Sequence, residues 1–161
     1  MAEHHWSVLC RESFVDGHTN NIALVVQDTP VFVDAGELPI SSDNIRYIRI
    51  PFQVVSAWSR TNFEDAETFQ VRLRLAVPSG ATSETASEAY NVTISDTAST
   101  RTFMPIAGVQ FLGEGRYRII VEWRDSLNDA WRTATTLPLD VLRTTQEPTG
   151  HHKAAQVASE Q

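Results

Sequence analysis

The sequence predicts an all-β protein: a two-sheet antiparallel β-sandwich of about eight strands, an immunoglobulin-like or C2-like Greek key. Three observations lead there. Apolar residues alternate with polar ones in segment after segment, at the two-residue period of a strand. Before residue 143 no stretch spaces its apolar residues as a helix would. Strands with one apolar face and no helices to cover them must bury those faces against one another.

The first two strands are Trp6 to Glu12 and Ile22 to Gln27, joined through the polar stretch around VDGHTNN. Trp6, Val8 and Cys10 share a parity, as do Ile22, Leu24 and Val26. A two-residue Asp16-Gly17 turn would set Cys10 opposite Ala23 and put the two apolar sets on opposite faces. A five-residue loop pairs Phe14 with Ile22 and Cys10 with Val26, which puts them on one face. Gly17 is expected to supply a positive φ there, and the Thr19 and Asn20 side chains to satisfy local backbone groups. Cys10 then reads as a core residue with an unreactive thiol, not as part of a reactive cluster with Asp16 and His18.

Residues 28 to 46 read as a long acidic loop with two prolines. Ile48, Ile50, Phe52 and Val54 begin the next strand, whose pattern runs on to Trp58. From Phe69 to Val77 every odd position is apolar, so Arg72 and Arg74 point to water. Residues 78 to 88 have the small, polar composition of a mobile surface loop, and Tyr90, Val92 and Ile94 supply a short strand. Phe103 to Leu112 is another strand, with a bend, bulge or edge position at Pro105 and Gly108. The Gly113-Glu114-Gly115 turn leads into Tyr117, Ile119, Val121 and Trp123. After the loop over residues 125 to 130, Trp131, Leu137, Leu139 and Val141 mark the last strand. All four tryptophans are expected as core anchors or at strand ends. Residues 1–142 thus form a single sandwich domain. Residues 143–161 form a polar C-terminal tail, mostly flexible or with a short helix over residues 153 to 160.

Composition narrows the function classes. With 161 residues, 42% of them hydrophobic, the chain can build one core of ordinary size. A formal net charge of −7 argues against nonspecific attraction to nucleic acid or anionic membrane. No run approaches the roughly 18 apolar residues of a membrane span. A single cysteine excludes an internal disulfide, and MAEHHWSVLCRE lacks the apolar centre of a secretory signal, so a cytoplasmic protein is expected.

Candidate chemistry is sparse. The pairs His4-His5 and His151-His152 could meet as metal ligands if the termini adjoin, but zinc sites usually show spaced Cys and His ligands, and solvated ends are the plainer reading. Asp28, Asp34, Asp43, Asp125 and Asp129 resemble the loop aspartates of calcium-binding sandwiches. Calcium needs six to eight oxygens from converging loops, and loop solvation explains the same residues. Glu64, Asp65 and Glu67 form an acidic run on an expected surface loop. No nucleophile motif, phosphate loop or dinucleotide fingerprint occurs. No catalytic, cofactor or metal residue is therefore assigned. The outward Arg72, Arg74, Arg116, Arg118 and Arg124 would make a basic stripe if their strands are neighbours. The plainer reading is that acidic neighbours neutralise them and that the charges guard against wrong strand pairing.

Two stretches carry a family resemblance. VLCRESFVDGHTNNIALVV resembles the opening hairpin of a family of uncharacterised bacterial proteins, with a strand ending in Cys and an Asp/Thr-Asn turn. GVQFLGEGRYRIIVEWRD followed by LPLDVL is similar to that family's closing Gly-x-Tyr hairpin. The resemblance implies a β-sandwich and no catalytic residues. The expected function is a non-catalytic binding or assembly module recognising another protein. The runner-up is a carbohydrate- or calcium-dependent ligand-binding module, and the third reading is an enzyme of unrecognised type.

Overall fold

The computed structural model describes residues 1–34, 36–49, 51–78 and 84–144. Twelve strands and no helix occur among the described residues. They are β1 (Ala2–Val15), β2 (Ile22–Val26), β3 (Val31–Val33), β4 (Tyr47–Ile48), β5 (Phe52–Arg60) and β6 (Glu67–Ala76). There follow β7 (Glu84–Ala86), β8 (Tyr90–Ile94), β9 (Ser99–Ile106), β10 (Val109–Gln110), β11 (Gly115–Arg124) and β12 (Arg132–Arg143). One four-stranded sheet runs β2-β1-β5-β9; a six-stranded sheet runs β3-β12-β11-β6-β7, with β8 also on β6; β10 and β4 form a small ribbon.

The alternating residues meet where the two large sheets share a core. Leu9, Val54 and Met104 come from the first sheet; Val71, Ile119, Val121 and Leu139 come from the second. Trp58 of β5 ties them together, its ring centroid 5.1 Å from Phe69 and 6.0 Å from Trp123. Aromatic rings at such separations add to the burial of their own large surfaces. At the start of β11, Tyr117 is fully buried, and its hydroxyl donates to Gly113 O at 2.8 Å and accepts from Leu112 N at 2.9 Å. Gly113 and Gly115 have φ of 115° and 136°, and a Cβ on Gly115 would lie 3.1 Å from Pro78 Cβ. Only glycine turns the chain there without strain.

The first hairpin differs from its expected form. Its loop spans residues 16 to 21, and Val15 rather than Phe14 stands opposite Ile22. Cys10 does face Val26, because a bulge between Cys10 and Glu12 corrects the parity that an even loop would spoil. The Asp16 carboxylate accepts the backbone N–H of His18 (2.8 Å) and Thr19 (3.3 Å), and these bonds hold it below the usual carboxylate range. Loop closure places the positive φ on Asn20, at 56°, and not on Gly17. Asparagine tolerates that region because its short amide can bond locally.

Further elements depart from expectation. The acidic loop contains β3, where buried Val31 and Val33 flank exposed Phe32, and β3 pairs parallel to β12 in an otherwise antiparallel framework. The strand expected from Ile48 onward divides into β4 and β5 around Pro51. The strand expected from Phe103 divides into β9 and β10 around Gly108, whose Cβ position lies 3.3 Å from Ile48 O. Pro105 sits on β9, an edge strand, where a missing N–H costs nothing. β12 reaches Arg143, and the remaining tail from residue 145 lies outside the described residues, as do residues 79–83 of the polar loop.

Candidate functional site

Of the five arginines in the expected stripe, Arg72, Arg74 and Arg116 meet carboxylates, whereas Arg124 bonds the neutral oxygens of Gln70 and Leu127. β6 and β11 are neighbours, with Arg72 opposite Glu122 and Arg74 opposite Ile120. Arg72 Nε lies 2.8 Å and Arg74 Nη2 3.1 Å from the two oxygens of Glu122, a carboxylate only 5% exposed. Two guanidinium groups lie over the Trp131 ring, Arg72 at 4.1 Å and Arg124 at 4.4 Å from its centroid. Trp131 is therefore no core anchor; it packs against two cations on the outer face of the six-stranded sheet. Arg116 grips Asp140 through two bonds of 2.7 and 2.8 Å, which lowers the Asp140 carboxyl and raises the arginine. Arg118 is exposed on the same strand.

Several of the five loop aspartates are engaged locally. Asp34 accepts Gly36 N at 2.8 Å, Asp129 accepts Ser126 N at 2.9 Å, and Asp125 pairs with Arg132. Among the described residues no group of three or more His, Cys, Asp and Glu side chains is placed to hold a metal ion. Glu67 is buried at the start of β6 rather than on a surface loop. Burial alone would raise its carboxyl. Bonds from the Met1 amine (2.8 Å), Asn62 N (2.8 Å) and Thr61 N (3.1 Å) outweigh that and hold it low.

His4 and His5 are fixed in β1 rather than lying in a floppy end, whereas His151 and His152 fall outside the described residues. His4 Nε2 meets Ser7 Oγ at 2.8 Å, and Ser7 Oγ meets Ser56 Oγ at 2.7 Å. This His–Ser–Ser chain escapes a reading of the sequence because Ser56 is remote in the chain. Ser56 is fully buried and His4 stacks edge-on against Trp58, so the chain satisfies buried hydroxyls more readily than it presents a nucleophile. Burial is the main reason that the His4 imidazole titrates below its usual range.

Two surfaces belong to the four-stranded sheet. That sheet curls like half a barrel. Arg101 on its β9 edge reaches Asn20 at the tip of the β1–β2 hairpin on the other edge, Nη1 to carbonyl at 3.0 Å. The curl seals Cys10 and Val55 completely, although both point away from the core shared with the other sheet. The Cys10 thiol lies 3.7 Å from Gln53 O, and burial pushes its pKa up. Nearer the mouth the same face opens into a groove of about 570 Å³ lined by Trp6, Ala57, Arg101 and Phe103. Trp6 is 36% exposed there, not in the core, because β1 carries apolar residues on both faces and Leu9 takes the inner one. The second surface is the hairpin arm itself, where Phe14, Val15, Val25 and Val26 are about half exposed or more.

No described helix is long and apolar enough to cross a membrane. No family model matches the chain, and no curated protein matches it either.

Proposed function

We propose that this chain is a non-catalytic module that recognises another protein in a bacterial cytoplasm, built on an immunoglobulin-like β-sandwich. A core supplied by both large sheets supports the sandwich. So does the Tyr117 hydroxyl folded back onto the backbone at residues 112 and 113, a device of Greek-key sandwiches. One observation carries the function: β2 is an unguarded edge. Among the described residues it pairs with β1 alone. Its sequence, IALVV, contains no charge, proline or glycine, and the successive Val25 and Val26 are 47% and 51% exposed on opposite faces. Proteins normally blunt such an edge, because its free N–H and C=O groups template pairing with another chain. The opposite edge, β9, carries Arg101 and Pro105. An edge left open on one side only suits a partner that adds a strand, its main chain supplying affinity and its side chains meeting the exposed valines. A second copy of the chain is such a partner too.

The test compares wild-type protein with Val25→Lys, by affinity capture from the source cell and by light scattering of the pure protein. The expected result is a captured protein, or a dimer, that is lost in the variant while the melting temperature holds. Identical captured proteins and identical mass in both would overturn the proposal.

A further inference from the structure

We infer that the groove under the hairpin tip is a binding site for an acidic saccharide, with Arg101 taking its carboxylate and Trp6 the apolar face of a sugar ring. The inference is independent of the β2 edge.

Charge comes first. The chain holds 20 acidic residues and a net charge of −7, yet no carboxylate lines this groove. Its charged lining group is Arg101. Arg72, Arg74, Arg116 and Arg132 each have a carboxylate partner. Arg101, like Arg11, Arg60 and Arg124, is held by neutral groups, its Nη1 lying 3.0 Å from Asn20 O and 3.4 Å from Asn20 Oδ1. One nitrogen of the guanidinium is thus anchored, while Nε and Nη2 show no bond among the described residues. These form the edge that grips a carboxylate through two parallel bonds. A bond to a neutral carbonyl orients the cation without neutralising it.

Shape comes second. Trp6, Ala57 and Arg101 stand in one row across three adjacent strands, Trp6 opposite Ala57 and Ala57 opposite Arg101. The small alanine makes a floor between two large side chains. The hairpin tip, tied to Arg101, closes one end, and Phe103 in the next row extends the apolar wall. About 570 Å³ is within the range of small-ligand sites, roughly 300–1,000 Å³.

Chemistry comes third. The rest of the lining includes the hydroxyl of Ser99 and the ring of His5, whose Nε2 is fixed on Ser59 Oγ at 2.7 Å. Hydroxyls that rotate to donate or accept match a ligand dense in hydroxyls. An indole offers a broad apolar face with a polar N–H at its edge. A sugar ring, apolar on its C–H face and polar around its rim, meets both demands, and its carboxylate meets the third.

Trigalacturonic acid and its methyl ester, which keeps the rings and removes the charge, are the probes. Calorimetric titration is expected to give a dissociation constant below about 1 mM for the acid and at least roughly tenfold weaker binding of the ester. Trp6→Leu, which keeps apolar bulk, and Arg101→Lys, which keeps charge but loses the fork, should each weaken the acid by about tenfold or more. The Trp6 indole N–H signal, assigned by its absence in Trp6→Leu, should shift on titration. No binding of the acid by about 10 mM would overturn the inference. So would equal affinity for the ester, or binding unchanged in Trp6→Leu. Because Arg101→Lys also perturbs the hairpin tip, Trp6→Leu decides the matter if that variant melts early. Val25→Lys should leave saccharide binding intact, so a failure at the β2 edge and a failure here are separate results.

Discussion

Replacing Arg72 by alanine tests what the charged outer face of the six-stranded sheet contributes. Alternation alone points Arg72 to water, where losing a side chain changes stability by about 0.5 kcal/mol or less. The structure raises that figure. Arg72 Nε bonds Glu122 at 2.8 Å, and its guanidinium lies 4.1 Å from the Trp131 ring centroid. A hydrogen bond to a charged group contributes about 1.5–3 kcal/mol, and a partly exposed cation–π contact about 0.5–1 kcal/mol. Two features reduce the sum. Arg74 still holds the other Glu122 oxygen at 3.1 Å, so the buried carboxylate is not orphaned, and Arg124 still covers Trp131. Arg72 is also a quarter exposed, so water competes for it. The expected loss is about 1–2 kcal/mol. Leu73→Ala, at a side chain 7% exposed within the core, should cost about 2–5 kcal/mol and so remain the larger effect. Urea melts with unchanged slope measure both. A cycle with Glu122→Gln should return a coupling of at least about 0.5 kcal/mol. An Arg72→Ala loss at or below about 0.5 kcal/mol, with no coupling, would refute the reasoning and return this face to plain solvation.

Two further outcomes follow from buried and tethered groups. The Cys10 thiol, fully buried with its pKa raised, should resist a thiol reagent in native protein and react once denaturant is added; rapid native labelling would contradict the sealed curl. Stability should fall on acidification from pH 7. Asp16, Glu67 and Asp140 all titrate below their usual values when folded, so their contribution is present above the unfolded carboxylate range near pH 4 and is lost as pH falls through the folded values. His4, also lowered, acts in the same direction from about pH 6.5 downward, because the unfolded chain takes up its proton first. Urea midpoints between pH 7 and 3 check the sign, and Asp140→Asn should flatten the acid limb. A midpoint that rises toward acid would contradict it.

Long alternating segments were legible because a strand of eight or more residues repeats its period often enough to be counted. β6 follows that pattern, β11 follows it as far as Ile119 before residues on both faces are buried, and no helix occurs among the described residues. β3, β4, β7 and β10 span two or three residues each, too few to establish a period. The candidate site was hidden for a different reason. Trp6 and Arg101 are 95 positions apart, and only the β1-β5-β9 order brings them into one row. Likewise, Arg72 and Glu122 are each an ordinary outward charge in the sequence, and only strand neighbourhood makes them a pair.

By itself, then, the amino-acid order determined the fold class, the position of the long strands, the turn at Gly113 to Gly115 and the lack of any recognisable reaction motif. These are local properties, set by side-chain alternation and by backbone conformations that few residues adopt. Which face turns inward is not local. Apolar residues occupy both faces of β1, and the register with β5 decides that Leu9 enters the shared core while Cys10 enters the curl and Trp6 the groove. Loop closure, through the Asp16 carboxylate and a bulge after Cys10, decided the hairpin register that parity alone assigned differently. Period two defines two faces of a strand, and only the packing of one sheet against another and the curl of a sheet on itself tell them apart.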